Sequence, residues 1–200
     1  MIREKANFIN KIAEEQKLSR DDTEVILFGY NLLVNSILGF VSILGVAYIL
    51  GIFLTVLVAT ITAAFFRAFT GGAHANSPTK CILFGACIFN LLGLITVHLN
   101  NAISNTNYIG TLFIMVISIA VISFYLYAPA DAPGKPITAK VHRKKLKTLA
   151  FISLLIWGIF MMVCFRGATM PQQLVLASCL GLIWQSVSLW PITYMLFGHK

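Results

Sequence analysis

Polar and apolar positions fall in long separate blocks along this chain. Residues 25–66 include no charge at all. One bilayer crossing takes about 20 residues, so this block must cross twice, with the reversal expected at 45–51. Four more apolar stretches follow, at 81–97, 108–127, 148–165 and 174–196. The pattern predicts an all-α fold, a polytopic membrane helical bundle with six transmembrane helices. The lead differs in kind. Ile2, Ala6, Ile9, Ile12 and Ala13 recur at helical spacing, while Arg3, Lys5, Asn10, Lys11, Glu14, Glu15 and Lys17 lie mostly elsewhere, the pattern of an amphipathic interfacial helix. Ser19 with Asp22 resembles a capping box, so a fresh helix is expected to start there and the first span near Thr23. The organisation read from the pattern is an N-terminal amphipathic cytoplasmic segment at 1–22 and a six-helix membrane domain at 23–200.

Composition agrees and adds an orientation. The 200 residues are 58% hydrophobic and 11% charged, whereas soluble domains are about half apolar and about a quarter charged. The net charge of +8 does not indicate a nucleic-acid partner, because the basic residues sit between apolar blocks and form no stripe with stacking aromatics. Their distribution orients the spans instead. Fourteen of the 15 Lys and Arg residues fall on one predicted side and only Arg166 on the other. The positive-inside rule then puts both termini in the cytoplasm, with a multi-pass location in the cell membrane. The first two dozen residues lack the apolar core and small-residue cleavage site of a signal peptide, so the lead is expected to remain in the mature chain. Cys81, Cys87, Cys164 and Cys179 show no CxxC pairing, so no disulfide framework, metal site or other cofactor is expected.

The chemistry concentrates in the cytoplasmic loop 67–81, read RAFTGGAHANSPTKC. On one continuous helix His74 and Cys81 would share a face but stand about 10 Å apart along the axis, too far for proton transfer. The sequence breaks that helix. Gly71 and Gly72 can end one span and turn the backbone, and Ser77 with Pro78 supplies an N-cap followed by proline at the first helical position. His74 can then fold back over the start of the next helix, where the macrodipole favours a thiolate at Cys81. A histidine within reach can take the thiol proton and return it to a departing amine. The glycines also leave room for backbone N–H groups to approach an oxyanion. Each feature has a plainer reading: a packed cysteine, a solvated histidine, Arg67 as an interface anchor and a glycine turn.

Taken together, the pattern R-x-x-x-G-G-x-H-A, with a cysteine seven residues after the histidine, resembles the AgrB family, accessory gene regulator protein B of Gram-positive quorum sensing. The residues that carry the resemblance are Arg67, Gly71, Gly72, His74, Ala75 and Cys81, with the run YAPADAPGKPI at 127–137. The resemblance implies a membrane cysteine endopeptidase with its active site facing the cytoplasm. Its partner is an AgrD-like precursor peptide, cleaved on the C-terminal side through a thioester and cyclised to a thiolactone or lactone autoinducing peptide. His74 and Cys81 match the catalytic pair, and Arg67 and Gly72 match positions the family requires. Gly71 and Ser77 complete the support, and a homodimer follows by analogy.

Asp131, the only acidic residue after Glu24, is a candidate third catalytic member; Pro129, Pro133 and Pro136 give it an equally good home in a rigid turn. The basic run 135–147 suits topology and anionic membrane lipids. Lys135, Lys140, Arg143, Lys144 and Lys145 are also candidates to hold the acidic tail of a precursor. Two other classes fit the composition. A small transporter or permease would line a path near Gly71, and a non-catalytic membrane scaffold would not need His74 or Cys81. Neither explains the loop.

Overall fold

In the computed structural model, which describes residues 20–73, 77–103, 106–130 and 139–196, every regular element is a helix and no strand occurs among the described residues. Helix α1 runs Arg20–Ile49 and α2 runs Phe53–Thr70. They reverse at Gly51, whose φ of 71° lies in the left-handed region that glycine adopts at little cost. Helix α3 spans Pro78–Ala102, α4 spans Thr106–Tyr127 and α5 spans Lys140–Arg166. Five helical stretches are long and apolar enough to cross a membrane: Val25–Ile49, Phe53–Thr70, Pro78–Ala102, Tyr108–Tyr127 and Lys140–Arg166.

The chain divides into two compact units, Met1–Val41 and Ser42–Lys200. Of the first, the described part is the helix from Arg20 onward, with Val25, Leu33, Ile37 and Val41 exposed as lipid-facing side chains are. Residues 1–19 of the predicted amphipathic segment lie outside the described residues. Arg20 and Asp22, at its end, already belong to α1.

The predicted sixth span is the main departure. Residues 174–196 form no single helix. Helix α6 covers Gln172–Val187 and a short α7 covers Pro191–Leu196. The break has a local cause, since Pro191 has no N–H to donate and its ring clashes with a continuing helix. Tight turns close the end of α6, with Leu189 N–H on Ser186 O and Trp190 N–H on Val187 O. The Thr193 hydroxyl then reaches back to Val187 O at 2.8 Å.

Helix α6 is interior. Ten of its residues are buried, Ser178, Gln185 and Ser186 among them, and it packs against α2, α3, α4 and α5. A Cβ on Gly181 would stand 2.3 Å from the Ala59 carbonyl oxygen, so the backbones of α2 and α6 meet closely through a small residue, as membrane helices do. Hydrogen bonds stitch the same seam. Thr62 pairs with Ser178 at 2.8 Å, and Gln173 donates to Thr55 at 2.7 Å. Trp157 on α5 donates to Ser178 at 3.0 Å and stacks on Phe113 of α4.

The fifth predicted span also begins earlier than its apolar stretch. Lys and Arg favour helix, so the basic run from Lys140 is drawn into α5. Lys147 donates to the Tyr125 carbonyl at 2.6 Å and lies 5.0 Å from the centre of the Tyr125 ring. It thereby satisfies one of the carbonyls left open at the end of α4.

Candidate active site

The expected break in the helix is present. Helix α2 stops at Thr70 and α3 starts at Pro78. Gly71 caps α2 with φ 69° and donates its N–H to Arg67 O at 2.9 Å. Gly72 follows at φ 143°. Both glycines are also required sterically. A Cβ on Gly71 would lie 2.3 Å from the Ala130 carbonyl oxygen, and one on Gly72 would lie 2.9 Å from Ser188 Oγ.

This turn is held on several sides. Ala130, which follows α4, donates its N–H to Thr70 O at 2.8 Å. Gln185 on α6 donates from Nε2 to Thr70 Oγ1 at 2.8 Å and to Gly71 O at 2.7 Å. Ala73, immediately before His74, is fixed at both main-chain groups: its N–H donates to Ser188 O at 3.1 Å, and its carbonyl accepts from the Arg67 guanidinium. Arg67 therefore spans the turn that begins on its own helix.

Across the turn, Ser77 is the extended N-cap of α3 and Pro78 is the first helical residue, but the Ser77 side chain makes no capping bond. Cys81 is exposed, and its own N–H donates to Ser77 O at 3.0 Å. The helix start leaves the N–H groups of Thr79 and Lys80 without acceptors inside the helix, one half-turn from the sulfur. Arg67 interacts electrostatically with Cys81 and with Tyr194 of α7.

Among the residues singled out from sequence, the structure therefore gathers Arg67, Gly71, Gly72, Ser77 and Cys81 around one interruption between α2 and α3. His74, Asp131 and Lys135 lie outside the described residues. Lys140, Arg143, Lys144 and Lys145 are exposed on the first turns of α5. The Gly71 N–H is itself taken up by Arg67 O. Sequence reasoning missed Gln185, Ser188 and Tyr194. A buried amide within an apolar stretch was the available signal, since polar side chains in such stretches are costly unless they have partners.

A model of the accessory gene regulator B family matches residues 6–189. The chain belongs to the AgrB family. A putative AgrB-like protein of Listeria innocua is 26% identical, over 98% of this chain and 96% of its own length. A putative AgrB-like protein of Clostridium perfringens is 24% identical, over 90% and 86%. The accessory gene regulator protein B of Staphylococcus aureus is 29% identical, over 85% and 82%. No solved structure matches the chain. Membership in AgrB covers every element from α1 through α6, so the Gly71 turn, the Cys81 helix start and the Gln185 contact all fall within the matched region.

Proposed function

We propose that this AgrB-family chain is a membrane cysteine endopeptidase acting on an AgrD-like precursor peptide in quorum sensing, with Cys81 as nucleophile and His74 as its acid–base partner. The observation that carries the reading is the interruption between α2 and α3, with Cys81 in the first turn of the helix on one side and Arg67 in the last turn of the helix on the other. A cysteine there combines nucleophilic sulfur with positive charge and open helix N–H groups.

In the first step Cys81 Sγ gives its proton to His74 and attacks the scissile carbonyl. The tetrahedral intermediate collapses, the C–N bond breaks, and His74 protonates the departing amine of the C-terminal fragment. The rest of the precursor remains on Cys81 as a thioester. A cysteine thiol of the precursor attacks that thioester next, forming the ring S–C bond as the bond to Cys81 breaks and Sγ is released. One thioester replaces another, so ring closure needs no further energy source, provided water is kept away. A precursor serine would give a lactone by the same route.

Orientation follows from charge: the active site faces the cytoplasm, the side that holds most of the basic residues. Lys135, Lys140, Arg143, Lys144 and Lys145 hold the acidic tail of the precursor or anionic lipid, and Asp131 orients His74. The protein works as a homodimer, in keeping with the family. The test is reconstitution of the full chain in lipid vesicles with peptides that have an amphipathic start, a central cysteine and an acidic end. Cys81→Ser and His74→Ala are expected to lose cleavage by at least about 1,000-fold, as removal of a nucleophile or its base does. Wild-type cleavage by either variant overturns the reading.

A further inference from the structure

Gln185 lies at the far end of the chain from the 67–81 loop, yet it spends its amide on that loop. Its side chain is 1% exposed in a helix surrounded by other helices. A primary amide in such a place is costly unless its donors and acceptor are matched. Both donors are. Nε2 donates to Thr70 Oγ1 and to Gly71 O, and Oε1 lies 3.3 Å from Ser188 Oγ, whose one proton is shared with the nearer Gln185 O. The orientation of the amide follows from its partners, since a carbonyl such as Gly71 O can accept only from the nitrogen.

These contacts reach the main chain where it leaves α2. With φ at 69°, Gly71 is in an uncommon backbone state, and the bond from Gln185 holds its carbonyl there. Gly72 fits against Ser188 Oγ and Gln185 Nε2 with no room for a side chain. Ser188, which donates to Gln185 O at 2.7 Å, offers its own carbonyl to the Ala73 N–H. Residues 71–73 are therefore held against the C-terminal end of α6. The plainer alternative is that Gln185 only joins helices, as Gln173 does with Thr55. Gln173, however, binds a side chain, whereas Gln185 binds the carbonyl of the turn itself.

We propose that Gln185 is a positioning residue for the cleavage reaction, acting by holding the turn Gly71–Ala73 that immediately precedes His74 in the chain. The inference rests on the reading of Cys81 and His74 as the reacting pair. Gln185→Met keeps volume and flexibility but removes both donors, while Gln185→Asn keeps the amide on a shorter arm. The experiment uses the full chain in vesicles with the same synthetic precursor peptides, and it follows turnover together with the amount of folded protein. Gln185→Met is expected to cut kcat per folded protein about 100-fold, the usual consequence of an ångström-scale misplacement. KM stays within about threefold. Gln185→Asn falls between Met and wild type.

Wild-type kcat in Gln185→Met overturns the proposal. So does a loss of activity that matches the loss of folded protein, because that leaves kcat per folded molecule unchanged. If Gln185→Met does not accumulate as folded protein, Gln185→Asn decides: reduced kcat per folded protein supports the proposal, and wild-type kcat overturns it. Cys81→Ser and His74→Ala run alongside as controls. Cleavage by those two overturns the underlying pair, while their inactivity beside a fully active Gln185→Met overturns the positioning role alone.

Discussion

The two sides of the interruption between α2 and α3 are built differently. Residues 71–73 are bonded to α6 through Gln185 and Ser188, to the end of α4 through Ala130, and to Arg67. Ser77 and Cys81 share one main-chain bond, the N-cap side chain makes none, and the sulfur is exposed. One arm is held and the other is open. In the proposed mechanism this division suits an enzyme that must keep its acid–base group aligned while its nucleophile accepts a peptide, carries it as a thioester and gives it up to a second thiol.

The largest effect expected from breaking the held arm comes from Gly71→Ala. At φ 69° and ψ −149° the backbone is in a region open essentially to glycine alone, so alanine is strained by about 1–3 kcal/mol, and here its Cβ would also stand 2.3 Å from the backbone oxygen of Ala130. Backbone cannot step aside as a side chain can, so the total is about 3 kcal/mol or more. Gly51 supplies an internal control, because its φ is 71° and a Cβ placed there would meet nothing within 4 Å. Gly51→Ala should cost the strain alone, about 1–2 kcal/mol. Denaturant unfolding of the detergent-solubilised protein measures both. Equal losses would mean that the Ala130 contact gives way and that the arm is less tightly held than its bonds indicate.

Much of this was legible from local sequence. Gly71, Gly72 and Pro78 act on their own backbone, so the end of α2 and the start of α3 could be read within a few residues. The turn at Gly51 could be read in the same way. What holds residues 71–73 could not, because Gln185 is 114 residues from Gly71 in the chain, and a lone amide in an apolar stretch does not name its partner. The broken sixth span was hidden for a related reason. An interior helix and a lipid-facing one are equally apolar in sequence, so hydropathy alone could not show that α6 is enclosed by its neighbours. Pro191 was the one local sign of the break.

A middle-sized effect is expected at Arg67, which faces both arms. Its guanidinium donates to Ala73 O and interacts with Cys81. Arg67→Lys keeps the charge but loses the planar fork that can serve two partners at once. Peptide cleavage by this variant should fall about tenfold, equivalent to about 1.4 kcal/mol in the barrier, with little change in unfolding midpoint. Full activity would show that charge alone matters and that the link between the arms is dispensable.

The smallest effect is expected at Ser77. An N-cap serine changed to alanine usually costs about 1 kcal/mol, because its hydroxyl serves an open N–H of the first turn. The Ser77 hydroxyl makes no such bond, and the residue already has the extended backbone that alanine adopts without strain, φ −135° and ψ 135°. Pro78 at the first helical position prepares the helix start without help from the cap. Ser77→Ala should therefore shift stability by no more than about 0.3 kcal/mol, below the usual capping cost, and leave cleavage unchanged. Measured against Gly71→Ala in the same denaturant series, the small loss would express the asymmetry of the two arms directly. A loss of the usual size would mean that Ser77 caps α3 in the membrane-bound protein, that the start of the Cys81 helix is fixed as firmly as the end of α2, and that the nucleophile is not on a compliant arm.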